Sequence, residues 1–206
     1  LSYPLSAERL FEKRIHGNVL KNVYGNLTES IRIYEEVLLE AKQLGLIEQE
    51  LVILKELAYR YGSNRQFSLS KRRFFEALDL AKVLGNDDQL GIILAGMLEN
   101  IIGVGDPQYY DLSVEYSTLG KKTGDFLTQI QAIGLLLQYF QHIQEPDSAV
   151  QYMLEGFSIK DSVISHVSNL RYLSFVSDCF KYGNNDLKGE ISEPIIAWVF
   201  DSVKIE

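Results

Sequence analysis

The residues whose side chains could support catalysis are scattered along the sequence. Three histidines, His16, His142 and His166, fall on different predicted helices, and none has the i, i+4 spacing of zinc-binding histidines beside a glutamate. The single cysteine, Cys179, excludes an internal disulfide and has no histidine close in sequence to activate its thiol. These patterns predict no catalytic residue and no metal site, and we expect a protein that is not an enzyme.

Two short motifs resemble ligand sites and are better explained as helix ends. Gly103-Val104-Gly105 precedes Asp106-Pro107 instead of following a strand, so it lacks the context of a phosphate-binding loop. Asp87-Asp88 opens a predicted helix, where carboxylates interact favourably with the positive end of the helix dipole. The sequence therefore predicts no nucleotide and no other cofactor.

Composition and charge exclude several kinds of partner. The chain has 206 residues, of which 46% are hydrophobic, and a formal net charge of −8, which disfavours nucleic acid and anionic lipid. We interpret the basic cluster Lys71-Arg72-Arg73 as a solvated helix face. No apolar run is long enough to cross a membrane, and the lone cysteine suits a reducing compartment, so we expect a cytoplasmic protein. The chain begins with Leu1 instead of Met, and we expect it to be a fragment of a longer protein.

The elements that carry these residues recur along the chain. Ala41-Lys42-Gln43-Leu44-Gly45 is followed by Ala81-Lys82-Val83-Leu84-Gly85 and, more loosely, by Gly120-Lys121-Lys122-Thr123-Gly124. A fixed interval, here of about 40 residues, is typical of repeat proteins in which stacked units share a continuous core. This predicts one repeat domain over residues 1–206.

Apolar residues recur at three and four within each repeat, which predicts amphipathic helices and no strand. Gly45 ends the first clear example in the position of a left-handed C-terminal cap. The predicted helices cover about 5–24, 27–44, 47–62, 67–84, 88–103, 108–123, 126–143, 147–160, 164–182 and 192–203. Short turns between them favour antiparallel neighbours, so we expect an all-α, right-handed superhelix of about five helical hairpins.

The hairpin 47–84 resembles a tetratricopeptide repeat. The small and aromatic positions of that repeat are taken by Ala58, Tyr61, Ser70, Phe74 and Ala77, at spacings of 3, 9, 4 and 3 residues. The interval of about 40 residues departs from the usual 34 and resembles the longer variant in the effector domains of MalT-type and Rap-like bacterial or archaeal regulators. Armadillo and HEAT repeats share the interval but lack the small-aromatic-small spacing.

The resemblance implies that the first helix of each hairpin lines a concave groove that binds extended peptides or helices. Counting from Ala58, the predicted groove residues are Arg14, Asn18, Lys21, Lys55, Glu56, Tyr59, Gln131, Gln138, Gln141, His142, Arg171, Asp178 and Lys181. Amides can pair with a peptide backbone as donor and acceptor, and the cations can hold a carboxylate. These positions are otherwise ordinary polar residues of a solvated face.

We therefore expect a module that binds a peptide or protein segment, as the sensory or scaffolding part of a regulator. The alternative is a small-molecule sensor or all-α enzyme with an internal pocket near Tyr109, Tyr110, Tyr116 and Tyr139. Self-association is a further possibility, because the last predicted helix is apolar almost all round and carries Trp198.

Overall fold

A computed structural model describes residues 6–159, and all the secondary structure in that range is helical. The helices are α1 (Ala7–Asn22), α2 (Leu27–Gln43), α3 (Ile47–Ser63), α4 (Phe67–Leu84), α5 (Asp87–Asn100), α6 (Tyr109–Thr123), α7 (Phe126–His142) and α8 (Pro146–Ser158). The predicted all-α class is confirmed for this range. The ninth and tenth predicted helices lie outside the described residues.

Local side-chain caps explain where several helices begin. The Asn26 side chain accepts a hydrogen bond from the Glu29 amide at 3.1 Å, and Asn86 accepts one from the Gln89 amide at 3.0 Å. Asp125 does the same for the Leu127 amide at 3.0 Å. Each cap satisfies an amide that has no partner within its helix, so these polar residues define the helix starts.

Residues in the left-handed backbone conformation follow the ends of several helices. Gly45, Gly85 and Gly124 have φ between 62° and 70°, as the repeated phrase predicts. The turn after α3 differs, because Arg65 adopts the left-handed conformation with φ of 58°. Gly62, the last residue of the predicted helix 47–62, is followed by one more helical residue, and a Cβ on Gly62 would lie 3.3 Å from Ser70 Oγ.

The helices form two compact units, with the division between Ile102 and Gly103. In the first unit each of α1 to α4 packs on the next helix in sequence, and α3 also contacts α5. In the second unit α6 packs on α7 and α7 on α8. Packing of sequential neighbours is the arrangement expected of helical repeats. The prediction of one domain over the whole chain stays a prediction.

The tetratricopeptide-like positions are buried in the first unit. Ala58, Ser70, Phe74 and Ala77 are fully buried, and Tyr61 is 8% exposed. Ser70 Oγ donates to the Ala58 carbonyl at 2.7 Å, which ties α4 to α3.

The preceding hairpin repeats this contact. Ser30 Oγ donates to the Gly17 carbonyl at 2.7 Å and ties α2 to α1. A Cβ on Gly17 would lie 2.7 Å from the Tyr34 ring, so the helices are close enough to require glycine there. The two hairpins therefore use the same serine-to-carbonyl contact to fix the distance between their helices.

The basic cluster on α4 differs from its predicted role as a solvated face. Arg73 is half-buried and forms ion pairs with Glu35 of α2 at 2.8 Å and with Glu76 at 2.7 Å. Tyr61 donates to the same Glu35 carboxylate at 2.7 Å, and burial together with that carboxylate raises the pKa of Tyr61 to about 12. Arg73 thus connects two hairpins, because Glu35 lies opposite it on α2.

Candidate functional site

The first helices of consecutive hairpins in unit 1 are joined by a repeated polar contact. Arg14 of α1 donates to the Gln49 side-chain oxygen of α3 at 2.9 Å. Lys55 of α3 donates to the Gln89 side-chain oxygen of α5 at 2.7 Å. The same pairing of a cation with an amide therefore occurs twice on what we call the first-helix face, defined by Arg14, Gln49, Lys55 and Gln89.

The two cations of the first-helix face have neutral partners. Neither Arg14 nor Lys55 forms an ion pair with any residue in the range 6–159. Burial lowers the pKa of Lys55; the charge of Glu56 opposes that shift and the charge of Arg14 adds to it. The charges of Glu56 and Arg14 thus both act on Lys55, and an anion bound there would further favour its charged form.

Two other predicted groove residues, Asn18 and Glu56, bind neighbouring side chains of the fold. The Asn18 side-chain oxygen accepts hydrogen bonds from the Tyr34 hydroxyl, at 2.9 Å, and from the Arg60 guanidinium. Glu56 pairs with Arg60 Nη1 at 2.6 Å, although its side chain is 37% exposed. Both residues therefore accept hydrogen bonds from the buried Arg60 side chain.

Arg60 is a residue that the sequence pattern did not single out. It is 1% exposed, and its guanidinium carbon lies 3.7 Å above the centre of the Tyr34 ring. Its Nε donates to Ser30 Oγ at 3.0 Å. Arg60 directly precedes the predicted aromatic position Tyr61, and a charged side chain there is normally assigned to solvent.

Tyr59 borders a cavity in unit 1. The cavity has a volume of about 200 Å³ and is lined by Tyr59, Gly62, Ser63, Phe74, Asn100 and Ile101. The Tyr59 and Phe74 rings meet edge to face at 5.1 Å. Burial raises the pKa of Tyr59, and the Glu99 charge raises it further. The hydroxyl of Tyr59 contacts the backbone of α5 at Gly96, where a Cβ would collide with it.

The remaining predicted groove residues are dispersed. Lys21 is half-buried in the last turn of α1. In unit 2, Gln131 accepts a hydrogen bond from Tyr116 at 2.9 Å, and Gln138 is half-buried on the same helix. Gln141 and His142 are exposed at the end of α7. Arg171, Asp178, Lys181 and the apolar C-terminal helix with Trp198 lie outside the described residues. A groove that continues along the whole chain stays a prediction.

Three of the four tyrosines of the alternative hypothesis cluster in unit 2. Tyr139 stacks on Tyr109 at 6.5 Å and packs at a tilt against Tyr110 at 5.0 Å, and Phe140 continues the cluster. Tyr109 and Tyr116 are 2% and 4% exposed. The rings contact one another between the helices, so the cluster is a packed aromatic core. A pocket for a small molecule at this place stays a prediction.

Residues 6–159 contain no group of three or more His, Cys, Asp or Glu side chains placed to hold a metal ion. Over the same residues, each helix is too short or too polar to span a lipid bilayer.

Comparison with known proteins gives a likeness of fold only. No protein-family model matches the sequence, and no curated protein matches it. Among solved structures, the chain is similar to a crystal structure from Podosopora anserina described as a kinesin light chain with nearly identical TPR-like repeats. The identity is 14%, the TM-score is 0.43, and the match covers 95% of this chain and 97% of the other.

Proposed function

We propose that this chain is a non-enzymatic helical-repeat module that binds a peptide or protein segment, with a carboxylate of that segment held on the first-helix face. The observation that carries the proposal is the pair of cations, Arg14 and Lys55, whose hydrogen-bond partners are the neutral amides of Gln49 and Gln89. In a chain of net charge −8, two cations without carboxylate partners favour an anionic ligand at that place.

The amides add a second kind of recognition. Gln49 and Gln89 each accept a hydrogen bond through the side-chain oxygen, which leaves the amide N–H groups to donate. An extended peptide offers carbonyl oxygens along its length, so donors on successive helices suit a backbone lying across α1, α3 and α5. The first-helix face therefore offers both charge and backbone pairing.

The wider role follows from the repeat. We infer that an interval of about 40 residues and the resemblance to MalT-type and Rap-like regulators place the chain in the sensory or scaffolding part of a cytoplasmic regulator. Direct contact with nucleic acid is not part of that role, because the net charge opposes it.

The test compares two fluorescently labelled mixtures of randomised octapeptides, one with free C-terminal carboxylates and one amidated at the C-terminus. We expect anisotropy to show tighter binding of the free-carboxylate mixture by the unmodified chain. Arg14→Glu and Lys55→Glu should each weaken that binding about tenfold or more, because a charge-assisted hydrogen bond contributes roughly 1.5–3 kcal/mol.

Lys42→Glu is the matched control. Lys42 carries the same charge on α2, is not a residue of the first-helix face, and pairs with Glu50 of α3 at 3.4 Å. The Lys42 side chain is 46% exposed and that of Glu50 21%, so this partly exposed pair should contribute little to stability, and the variant should fold and bind normally. Equal binding of both mixtures, or equal loss in Lys42→Glu and Lys55→Glu, would show that the first-helix face does not recognise a carboxylate.

A further inference from the structure

A row of exposed apolar side chains runs along α1 and into the turn that follows it. Its members lie four residues apart and are 61%, 47%, 36% and 70% exposed, in the order Phe11, Ile15, Val19 and Val23. Residues four apart on a helix form a ridge beside which a second helix can pack. The first helix of a repeat array normally has a polar outer side, so this row requires an explanation.

The next first helix, α3, shows what normally covers this side. The Gly17 and Ala58 carbonyls accept the same serine hydrogen bond, so each residue of α1 matches the residue 41 positions later in α3. Val19 therefore matches Arg60, which is 1% exposed because its side chain contacts α1 and α2. The exposed row of α1 thus lies on the side that, in α3, packs against a helical hairpin.

Two further matched positions show the chemistry of that contact. Glu8 matches Gln49, whose side-chain oxygen accepts a hydrogen bond from Arg14 of the preceding first helix at 2.9 Å. Glu12 matches Ile53, which is fully buried. An element packed on α1 in the same way would therefore be a helix, and it would place a basic side chain beside Glu8.

The charges on this side of α1 favour a basic partner. Glu8 and Glu12 are exposed, and neither forms an ion pair with any residue in the range 6–159. At about 3.6 residues per turn, both lie on the same side of the helix as the four apolar residues. We call the surface formed by Glu8, Glu12 and the apolar row the outer α1 face.

Charge disfavours two other occupants of the outer α1 face. A second copy would bring two more carboxylates to it, in a chain of net charge −8. The apolar C-terminal segment 192–203 carries Glu193 and Asp201 and no lysine or arginine. A basic helix, in contrast, would supply partners for both carboxylates.

We propose that the outer α1 face binds an amphipathic helix of a partner protein, with apolar residues spaced at three and four and with arginine or lysine on both flanks. The apolar residues pack against the exposed row, and the flanking cations pair with Glu8 and Glu12. This inference goes beyond the proposed function, because the outer α1 face contains neither Arg14 nor Lys55.

The test measures the fluorescence anisotropy of two labelled peptides on titration with the full chain. Both peptides are capped and about 18 residues long, so that a helix can form, and both have leucines spaced at three and four. One carries arginines on both flanks of the leucine row, and the other carries glutamates there. We expect at least tenfold tighter binding of the arginine peptide. Equal affinity for both peptides, or no binding of the arginine peptide, would overturn the proposal.

The carboxylates are tested by combining Glu8→Gln with Glu12→Gln, which removes both charges with little change of shape. This double variant should bind the arginine peptide at least tenfold more weakly. The matched control combines Glu48→Gln with Glu99→Gln and removes two exposed carboxylates from α3 and α5, so its affinity should stay unchanged. Equal weakening in the two double variants would show that the peptide responds only to net charge, and the proposal would be wrong.

The apolar row is tested with Ile15→Ala. Ile15 is about half exposed in the chain alone, so the variant should fold, and it should bind the arginine peptide about fivefold more weakly because less apolar surface is buried. Leu39→Ala is the control, since Leu39 is an apolar residue of α2 that is 59% exposed, and it should bind normally. Unchanged binding in Ile15→Ala would contradict the proposed contact.

Light scattering separates a partner helix from a second copy. We expect the same molar mass for the unmodified chain and for Ile15→Glu. A larger mass that Ile15→Glu reduces would assign the outer α1 face to a second copy and overturn the proposal. None of these measurements depends on the carboxylate comparison with Arg14 and Lys55, so the two proposals can fail separately.

Discussion

Arg60 connects three helices through one side chain. From α3 it reaches Asn18 on α1 and Ser30 on α2, and its only carboxylate partner among the described residues is Glu56 on its own helix. A guanidinium that is 1% exposed requires compensation for its lost hydration. The hydrogen bonds to Asn18, Ser30 and Glu56, with the Tyr34 ring beneath, provide it.

We predict that Glu56→Gln destabilises the chain by about 2 kcal/mol. The substitution keeps a hydrogen-bond acceptor and removes the charge that balances Arg60. The expected loss is below the roughly 3–5 kcal/mol for one partner of a fully buried pair, because Glu56 is 37% exposed. Urea unfolding followed by circular dichroism measures the difference.

Arg60→Met provides the control for this prediction. In the Arg60→Met background, Glu56→Gln should cost only a few tenths of a kcal/mol, since no buried charge remains. If Glu56→Gln costs the same with and without Arg60, its effect does not come from the ion pair.

The contacts of Asn18 and Glu56 depend on a residue that the sequence pattern did not single out. Asn18 and Glu56 were expected in an open groove because their spacing places them on first helices. Their actual partner, Arg60, is 42 residues from Asn18, and its burial depends on the space between three helices. The space between these helices is set by tertiary packing, which the local periodicity of the sequence does not encode.

At the scale of elements, helix boundaries were predictable to within about three residues because their signals are local. Asn26, Asn86 and Asp125 cap their helices through neighbouring amides, and the repeated glycines end others. Gly62, the last residue of the predicted helix 47–62, is not the end of α3, and a Cβ on it would crowd Ser70 and Ile101. A sequence alone does not distinguish a glycine that ends a helix from one that lets another helix approach.

We predict that Gly120→Ala destabilises the second unit by about 1–3 kcal/mol. A Cβ at this position would lie 2.9 Å from the Gln129 backbone nitrogen, which cannot move without shifting α7. A collision with backbone should cost about 3 kcal/mol, the upper end of the usual range for overpacking, and the gain of about 1 kcal/mol in helix propensity leaves a net loss of about 2 kcal/mol. Thermal or urea unfolding of the variant measures the result.

Gly103→Ala is the matched comparison in the same unit. A Cβ at Gly103 would have nothing within 4 Å, and its φ is not in the left-handed region. The unfolding midpoint should therefore stay within error of the unmodified chain. If Gly120→Ala is also neutral, α6 and α7 are not as close as described.

At the scale of the whole molecule, each unit obtains its contacts from sequential neighbours. We predict that a chain ending at Ile102 folds alone, because α1 to α5 pack on one another within that boundary. Its circular dichroism should be helical, and Tyr34 and Arg60 should give dispersed NMR signals. A spectrum typical of an unfolded chain would show that unit 1 requires residues after Ile102 in order to fold.

The short sequence distances within unit 1 also bear on how the chain folds during synthesis. Arg60 and Asn18, 42 residues apart, are joined once α3 is complete, and their loop closes at modest entropic cost. Contacts of this kind give low contact order, for which folding takes microseconds to milliseconds. Translation proceeds at about 5–20 residues per second, so α1 to α3 have time to assemble around Arg60 while the residues after Ile102 are still being synthesised.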